Sequence, residues 1–145
     1  YYAANMDLLA PVPPMNLYQA DWPIRTYQGQ HPPARMAPGA SGREGQLVRS
    51  LICGGTVISG GHVHRSILCS HVHVDDDAVV EDSILFDGVR VGANARLKRC
   101  IVDKDVTIPP GERIGEDSAS DAARFTVSES GIVVVPKGYE FASAD

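Results

Sequence analysis

Between residues 50 and 116, large apolar side chains return in a fixed rhythm. Each unit opens on an aliphatic pair: Leu51–Ile52, Ile67–Leu68, Ile84–Leu85 and Ile101–Val102. Six or seven residues later an alternating pair follows: Thr56/Ile58, Val72/Val74, Val89/Val91 and Val106/Ile108. Single aliphatics at Val63, Val80, Leu97 and Ile114 close the units. The repeats Ser50–Arg65, Ser66–Asp82, Ser83–Arg99 and Cys100–Glu116 span 16, 17, 17 and 17 residues. Such a period, rich in β-branched residues and cut every few positions by Gly, Asn, Asp or Pro, leaves no 3.6-residue stripe for a helix. It predicts an all-β fold: a parallel β-solenoid of about four coils with three short strands per coil. Aliphatics recurring near every sixth residue place it in the hexapeptide-repeat subclass. A β-sandwich competes poorly, because Asn-Gly hairpin signals are missing between the runs.

The rhythm divides the chain into three. Residues 1–48 carry prolines at 11, 13, 14, 23, 32, 33 and 38 and show no period. That density excludes long helices and predicts an extended arm laid on another surface, anchored by a buried Trp22. Gly39–Gly45 is expected to be a mobile loop. The coils occupy 49–116. Residues 117–145 hold a short helix over Ser118–Phe125, capped by Asp117 or Ser118, and a strand at Gly131–Pro136 that covers the open end of the prism. Four coils are marginal alone, so both flanks are expected to pack on them.

Charge and cysteine content narrow the chemistry. Thirteen basic against 18 acidic residues argue against a general nucleic-acid surface. No apolar run approaches 18 residues, so no membrane span is expected. A start at Tyr1–Tyr2 suggests a piece of a longer protein. Cys53 and Cys69 share one repeat position and should lie about 5 Å apart on neighbouring coils, as reduced thiols. His62, His64, His71 and His73 form two i, i+2 pairs; with the intervening valines inward, they read as outward-facing histidines rather than a metal site. Asp75–Asp77 reads as a solvated corner. No phosphate-binding glycine loop leads into a helix, and no catalytic triad or paired carboxylates stand out. The segment is expected to have no catalytic and no metal-ligating residues of its own.

Several stretches together carry a family resemblance: DWPIRTY, the coils, CIVDKDVTIPPGERIGED and DAARF…SESGIVVV. With YYAANMDLL before them, they resemble the C-terminal domain of the bacterial ADP-glucose pyrophosphorylases, also called glucose-1-phosphate adenylyltransferases, over roughly residues 1–141. The resemblance implies a left-handed β-helix, joined by its Pro-rich arm to an N-terminal catalytic domain. The complete cytoplasmic enzyme would make ADP-glucose and pyrophosphate from ATP and glucose 1-phosphate, the committed step towards glycogen. Its Mg²⁺ would be bound outside this segment. The implied partners are that catalytic domain, the other subunits of a homotetramer, and a small phosphorylated or acidic effector; nucleic acid and membrane are not among them.

By position, Arg25, Lys104 and Lys137 correspond to effector-binding cations of the family, although relatives often carry arginine at the two lysines. Cys53 and Gly54 lie where the effector cleft meets the catalytic domain. Each has an ordinary alternative, a solvated surface charge for the cations and a tight corner for the glycine. Two other hexapeptide classes stay open, acyltransferases and γ-type carbonic anhydrases. The first usually have more coils and an essential His; the second need three converging histidines.

Overall fold

A computed structural model describes residues 1–23 and 29–142. Its strands stack into three parallel sheets that form the faces of a prism. The first sheet runs β1 (Arg35–Ala37), β4 (Val57–Ser59), β7 (His73–Val74), β10 (Arg90–Val91) and β13 (Thr107–Ile108). The second runs β2 (Gln46–Val48), β5 (His62–His64), β8 (Val79–Glu81), β11 (Arg96–Lys98) and β14 (Arg113–Ile114). The third holds β3 (Leu51–Ile52), β6 (Ile67–Leu68), β9 (Ile84–Leu85), β12 (Cys100–Val102), β16 (Val133–Val135) and β15 (Thr126–Val127). Chain order advances one sheet at a time, so each circuit adds one rung to every face.

The register puts like on like. Ile58 pairs with Val74, Val74 with Val91, and Val91 with Ile108. Val63 meets Val80, Val80 meets Leu97, and Leu97 meets Ile114. Leu68, Leu85, Val102 and Val135 form the third column. All these side chains are buried, and with Val72, Val89 and Val106 they make one continuous core. A one-residue slip would turn every column outward, so burial itself fixes the register.

The corners need the left-handed backbone region. It is taken at Arg65, Asp82 and Arg99 (φ 45°, 46° and 49°) and at Asp77 and Asn94 (φ 54° and 60°). Asp and Asn tolerate it through local hydrogen bonding, whereas arginine has no such compensation. At the arginine corner the backbone bonds between rungs supply the constraint: Arg65 N–H donates to the Val48 carbonyl (3.0 Å) and Arg99 N–H to that of Glu81 (3.1 Å). Beside it a polar column is fully engaged. The Ser50 hydroxyl accepts from Ser66 N–H, the Ser66 hydroxyl from Ser83 N–H, and the Ser83 hydroxyl from Cys100 N–H, at 3.1, 3.1 and 3.2 Å.

Three features of the N-terminal flank differ from the sequence reading. The coils begin at β1 rather than at residue 49, because Arg35–Ala37 and Gln46–Val48 pair in register with β4 and β5. Gly39–Gly45 is not a loose loop. Asp76 accepts from the Ser41 amide (2.7 Å) and hydroxyl (2.9 Å), and Arg43 pairs with Asp77 at 2.8 Å. Those aspartates therefore clamp the loop instead of only facing solvent. Trp22 is 80% exposed rather than buried. A short helix, α1 (Tyr2–Met6), and a 3₁₀ turn (Asp7–Leu9) precede the first proline.

At the other end α2 (Ser118–Arg124) is capped by Asp117, whose carboxylate accepts from the Ala119 and Ser120 amides. The strand expected at 131–136 does not lie across the open end. β16 continues the third sheet as its next rung beside β12, and β15 folds back antiparallel on it. Phe125, Tyr139 and Phe141 cluster over the last coil, with Phe125–Tyr139 and Tyr139–Phe141 centroids 4.9 Å apart.

Candidate functional site

The stacking of the third sheet decides which candidate residues meet. Ile52, Leu68, Leu85, Val102 and Val135 share one column. Two residues further on, Gly54, Ser70, Asp87, Lys104 and Lys137 line a single corner of the prism. The backbone ladder continues through it: His71 N–H donates to the Gly54 carbonyl, Gly88 N–H to that of Ser70, and Asp105 N–H to that of Asp87. Lys104 and Lys137, 33 positions apart in the chain, thus occupy adjacent rungs, about 4.8 Å apart along the sheet. Gly54 lies three rungs from Lys104, about 14 Å away. Each lysine follows by two residues one member of the paired Val102 and Val135; Cys53 and Gly54 follow Ile52, at the opposite end of the same sheet. Arg25 lies outside the described residues.

Each lysine has a carboxylate neighbour. Lys104 Nζ is 3.3 Å from Asp103 Oδ1, and Lys137 Nζ is 3.8 Å from Asp105 Oδ2. Both lysine side chains remain about half or more exposed, at 48% and 63%. Exposed pairs of this kind contribute about 0–1 kcal/mol, so an anion can displace the carboxylates at small cost. The Lys104 amide donates to Asp103 (2.7 Å); this bond, with the Lys104 ammonium, holds the Asp103 carboxyl below the usual range despite some desolvation. Asp105, the carboxylate beside Lys137, also lines a groove of about 530 Å³ with Thr107, Pro109, Tyr139, Glu140 and Phe141. Phe141 is committed to the aromatic cluster.

The Cys53–Gly54 end is already occupied by the arm. A Cβ on Gly54 would sit 2.9 Å from His31 Cβ and 3.3 Å from the Pro32 carbonyl oxygen, so the crossing requires glycine there. Gly55 N–H donates to the Pro32 carbonyl (2.7 Å) and Cys53 N–H to that of Leu68 (2.9 Å), which engages two amides an anion would use. The His31 and His71 rings meet at 2.8 Å, one donating and one accepting. Burial, then the nearby Asp87 carboxylate, raises the Cys53 thiol. Cys69 is pushed up to about 12, chiefly by burial. All three cysteines are free thiols. His64 and His71 face solvent, while Val63, Val72 and Val74 point inward. Among the described residues no group of three or more His, Cys, Asp or Glu is placed to hold a metal ion. No described helix is long and apolar enough to cross a membrane.

One element escaped the sequence reading. Phe86 occupies the column that holds Cys53, Cys69 and Asp103 on other rungs, and its ring lies 4.8 Å from Lys104 Nζ. An exposed contact of this type is worth about 0.5–1 kcal/mol. Tyr1, beside α1, stacks on the same ring at 6.2 Å. The available signal was an aromatic where the column is otherwise small or polar.

A parallel prism of hexapeptide rungs defines a β-solenoid domain. The chain belongs to the family described as GlmU-like, C-terminal hexapeptide, which matches residues 32–135. Similar proteins extend the match into both flanks. Glucose-1-phosphate adenylyltransferase 2 of Vibrio cholerae is 52% identical over 143 residues, 99% of this chain and 35% of that protein. Its namesake from Vibrio parahaemolyticus is 55% identical over 141 residues, 97% of this chain and 35% of the relative. The glucose-1-phosphate adenylyltransferase of Deinococcus radiodurans is 47% identical over 142 residues, 97% of this chain and 34% of the relative. The chain therefore spans about a third of the curated relatives it matches, and the family resemblance seen in its motifs is borne out.

Proposed function

We propose that this chain is the regulatory and assembly domain of a cytoplasmic glucose-1-phosphate adenylyltransferase, and that its lysine corner takes an anionic effector. The carrying observation is the placement of Lys104 and Lys137 on adjacent rungs, each with only a weak surface carboxylate partner. Two ammonium groups following paired strand residues suit a phosphate or a small carboxylic acid, which would accept charge-assisted hydrogen bonds from both. The enzyme would join ATP and glucose 1-phosphate to give ADP-glucose and pyrophosphate. Mg²⁺ would be held by the catalytic domain, where it would serve the phosphate chemistry. The regular prism, with rungs open at the edge of the first sheet, suits contacts within a homotetramer.

The test is an assay of pyrophosphate release by the full-length protein, with and without fructose 6-phosphate, glucose 6-phosphate, pyruvate and AMP. At least one metabolite should change the rate. Lys104→Ala and Lys137→Ala should each raise its half-effective concentration about tenfold or more. A rate indifferent to all four, or lysine variants responding like the parent, would overturn the effector assignment. No ADP-glucose synthesis under any condition would overturn the enzyme assignment as well.

A further inference from the structure

Helix α1 has little of its own to hold it in place. It is five residues long, lacks a side-chain cap and buries none of its residues. A single helical turn does not persist in water without tertiary contacts. Two contacts tie it to the prism. Tyr1 stacks on Phe86 with ring centroids 6.2 Å apart and planes inclined by 30°. The Tyr2 hydroxyl donates to the carbonyl of Asp82. Phe86 in turn carries the Lys104 ammonium, 4.8 Å from its centroid. One half-buried ring therefore has the candidate effector cation as one neighbour and the start of the helix as another.

That arrangement makes the ring sensitive to what Lys104 binds. Attraction of an ammonium to an aromatic face is electrostatic and short-ranged. An anion at Lys104 competes with the ring and with Asp103 for the same ammonium. When Lys104 turns towards the anion, Phe86 loses the contact that holds its face, and the Tyr1 stack rests on a freer ring.

We propose that Phe86 couples occupancy of Lys104 to the docking of helix α1, making the helix the element through which this corner signals to the rest of the protein. The inference rests on the effector reading of the lysine corner. Phe86 is a positioning residue: it touches no ligand and acts through Lys104 on one side and Tyr1 on the other. The two arrangements of the coupled element are α1 docked on the ring and α1 released from it.

The experiment uses the full-length protein with fructose 6-phosphate as the probe, then each of the other three metabolites in turn. Calorimetry measures binding, amide hydrogen exchange follows α1, and pyrophosphate release follows activity. In the parent, a bound metabolite should change exchange in α1 by about fivefold or more. Phe86→Leu should bind that metabolite with a Kd within about threefold of the parent. It should nonetheless lose both the α1 response and the rate response, and Phe86→Tyr should restore them. Tyr1→Leu, which leaves the prism untouched, should behave like Phe86→Leu. Parent-like responses in Phe86→Leu and Tyr1→Leu would overturn the coupling and leave the effector site standing. Failure of every metabolite to bind the parent would overturn both.

Discussion

The two ends of the prism are closed by different chemistry. At the first end the arm is held by hydrogen bonds and charge: His31 to His71, Ser41 to Asp76, Arg43 to Asp77. At the last end Phe125, Tyr139 and Phe141 cover the final rung with apolar surface, and among the described residues only Asp121 is a buried charged residue. Polar clamps of this sort fix position and register but contribute little net free energy, whereas the aromatic cover excludes water from the core. Stability should therefore reside at the last end and conformational adjustment at the first. Lys104 and Lys137 follow strands β12 and β16 near that last end.

The largest effect should follow from opening the aromatic cover. Phe125→Ala should lower the urea unfolding free energy by about 3–5 kcal/mol, since Phe125 is 7% exposed. A loss much smaller than that would break the comparison.

Asp121 comes next. Its carboxylate accepts from Gly115 N–H at 2.9 Å and lies 3.9 Å from Arg124. Asp121→Ala should cost about 1–3 kcal/mol by leaving that amide unpaired. Burial outweighs these partners and raises the Asp121 carboxyl. An acid whose folded pKa is raised favours the fold while protonated, and that contribution is lost as pH rises from the ordinary value of about 3.9 through the raised one. Asp121→Asn should therefore flatten this fall in stability across the mildly acidic range, read from urea midpoints between pH 3 and neutrality, roughly the span over which carboxyls titrate.

Smaller effects are expected at the first end. Asp76→Ala should leave the unfolding midpoint nearly unchanged yet speed tryptic cleavage after Arg43 severalfold. Hydrogen bonds from the Ser41 hydroxyl and amide hold the Asp76 carboxyl below its usual range. Protection of the loop should thus be complete above the ordinary carboxyl pKa and fade only as pH falls through the lowered value. Amide exchange at residues 39–45 measured down the acid range checks the sign; protection lost at neutral pH would contradict it.

Least perturbing is the thiol order. Iodoacetamide should label exposed Cys53 first. Cys69 and Cys100, both pushed up to about 12 mainly by burial, should resist at neutral pH, as mass spectrometry of labelled peptides would show.

The core of the solenoid was legible because a period of 17 residues superimposes identical environments. Once Ile84–Leu85 is read as a rung, Ile67–Leu68 and Ile101–Val102 follow, and the helix over 118–124 announced itself by Asp117 and the polar run after it. The flanks were harder to read because they have no internal repeat. Arg35–Ala37 becomes a strand only by pairing with β4, and nothing in its three residues says so. Gly39–Gly45 reads as loose until Asp76, 35 positions from Ser41, supplies the acceptor. Trp22 was expected inside on hydrophobicity alone, but whether a side chain is covered depends on what lies opposite it.

The same division runs through the candidate site. Sequence alone supplied the coils, the family and the candidates Lys104 and Lys137, since a repeating environment and local residue chemistry are both written along the chain. Only the tertiary structure put those lysines on adjacent rungs, set Cys53 and Gly54 at the far end beneath His31 and Pro32, and placed Phe86 between Lys104 and Tyr1. Those contacts join residues between 18 and 85 positions apart. Such distances close only when stacked coils and a returning arm bring the segments together, and no local pattern encodes that.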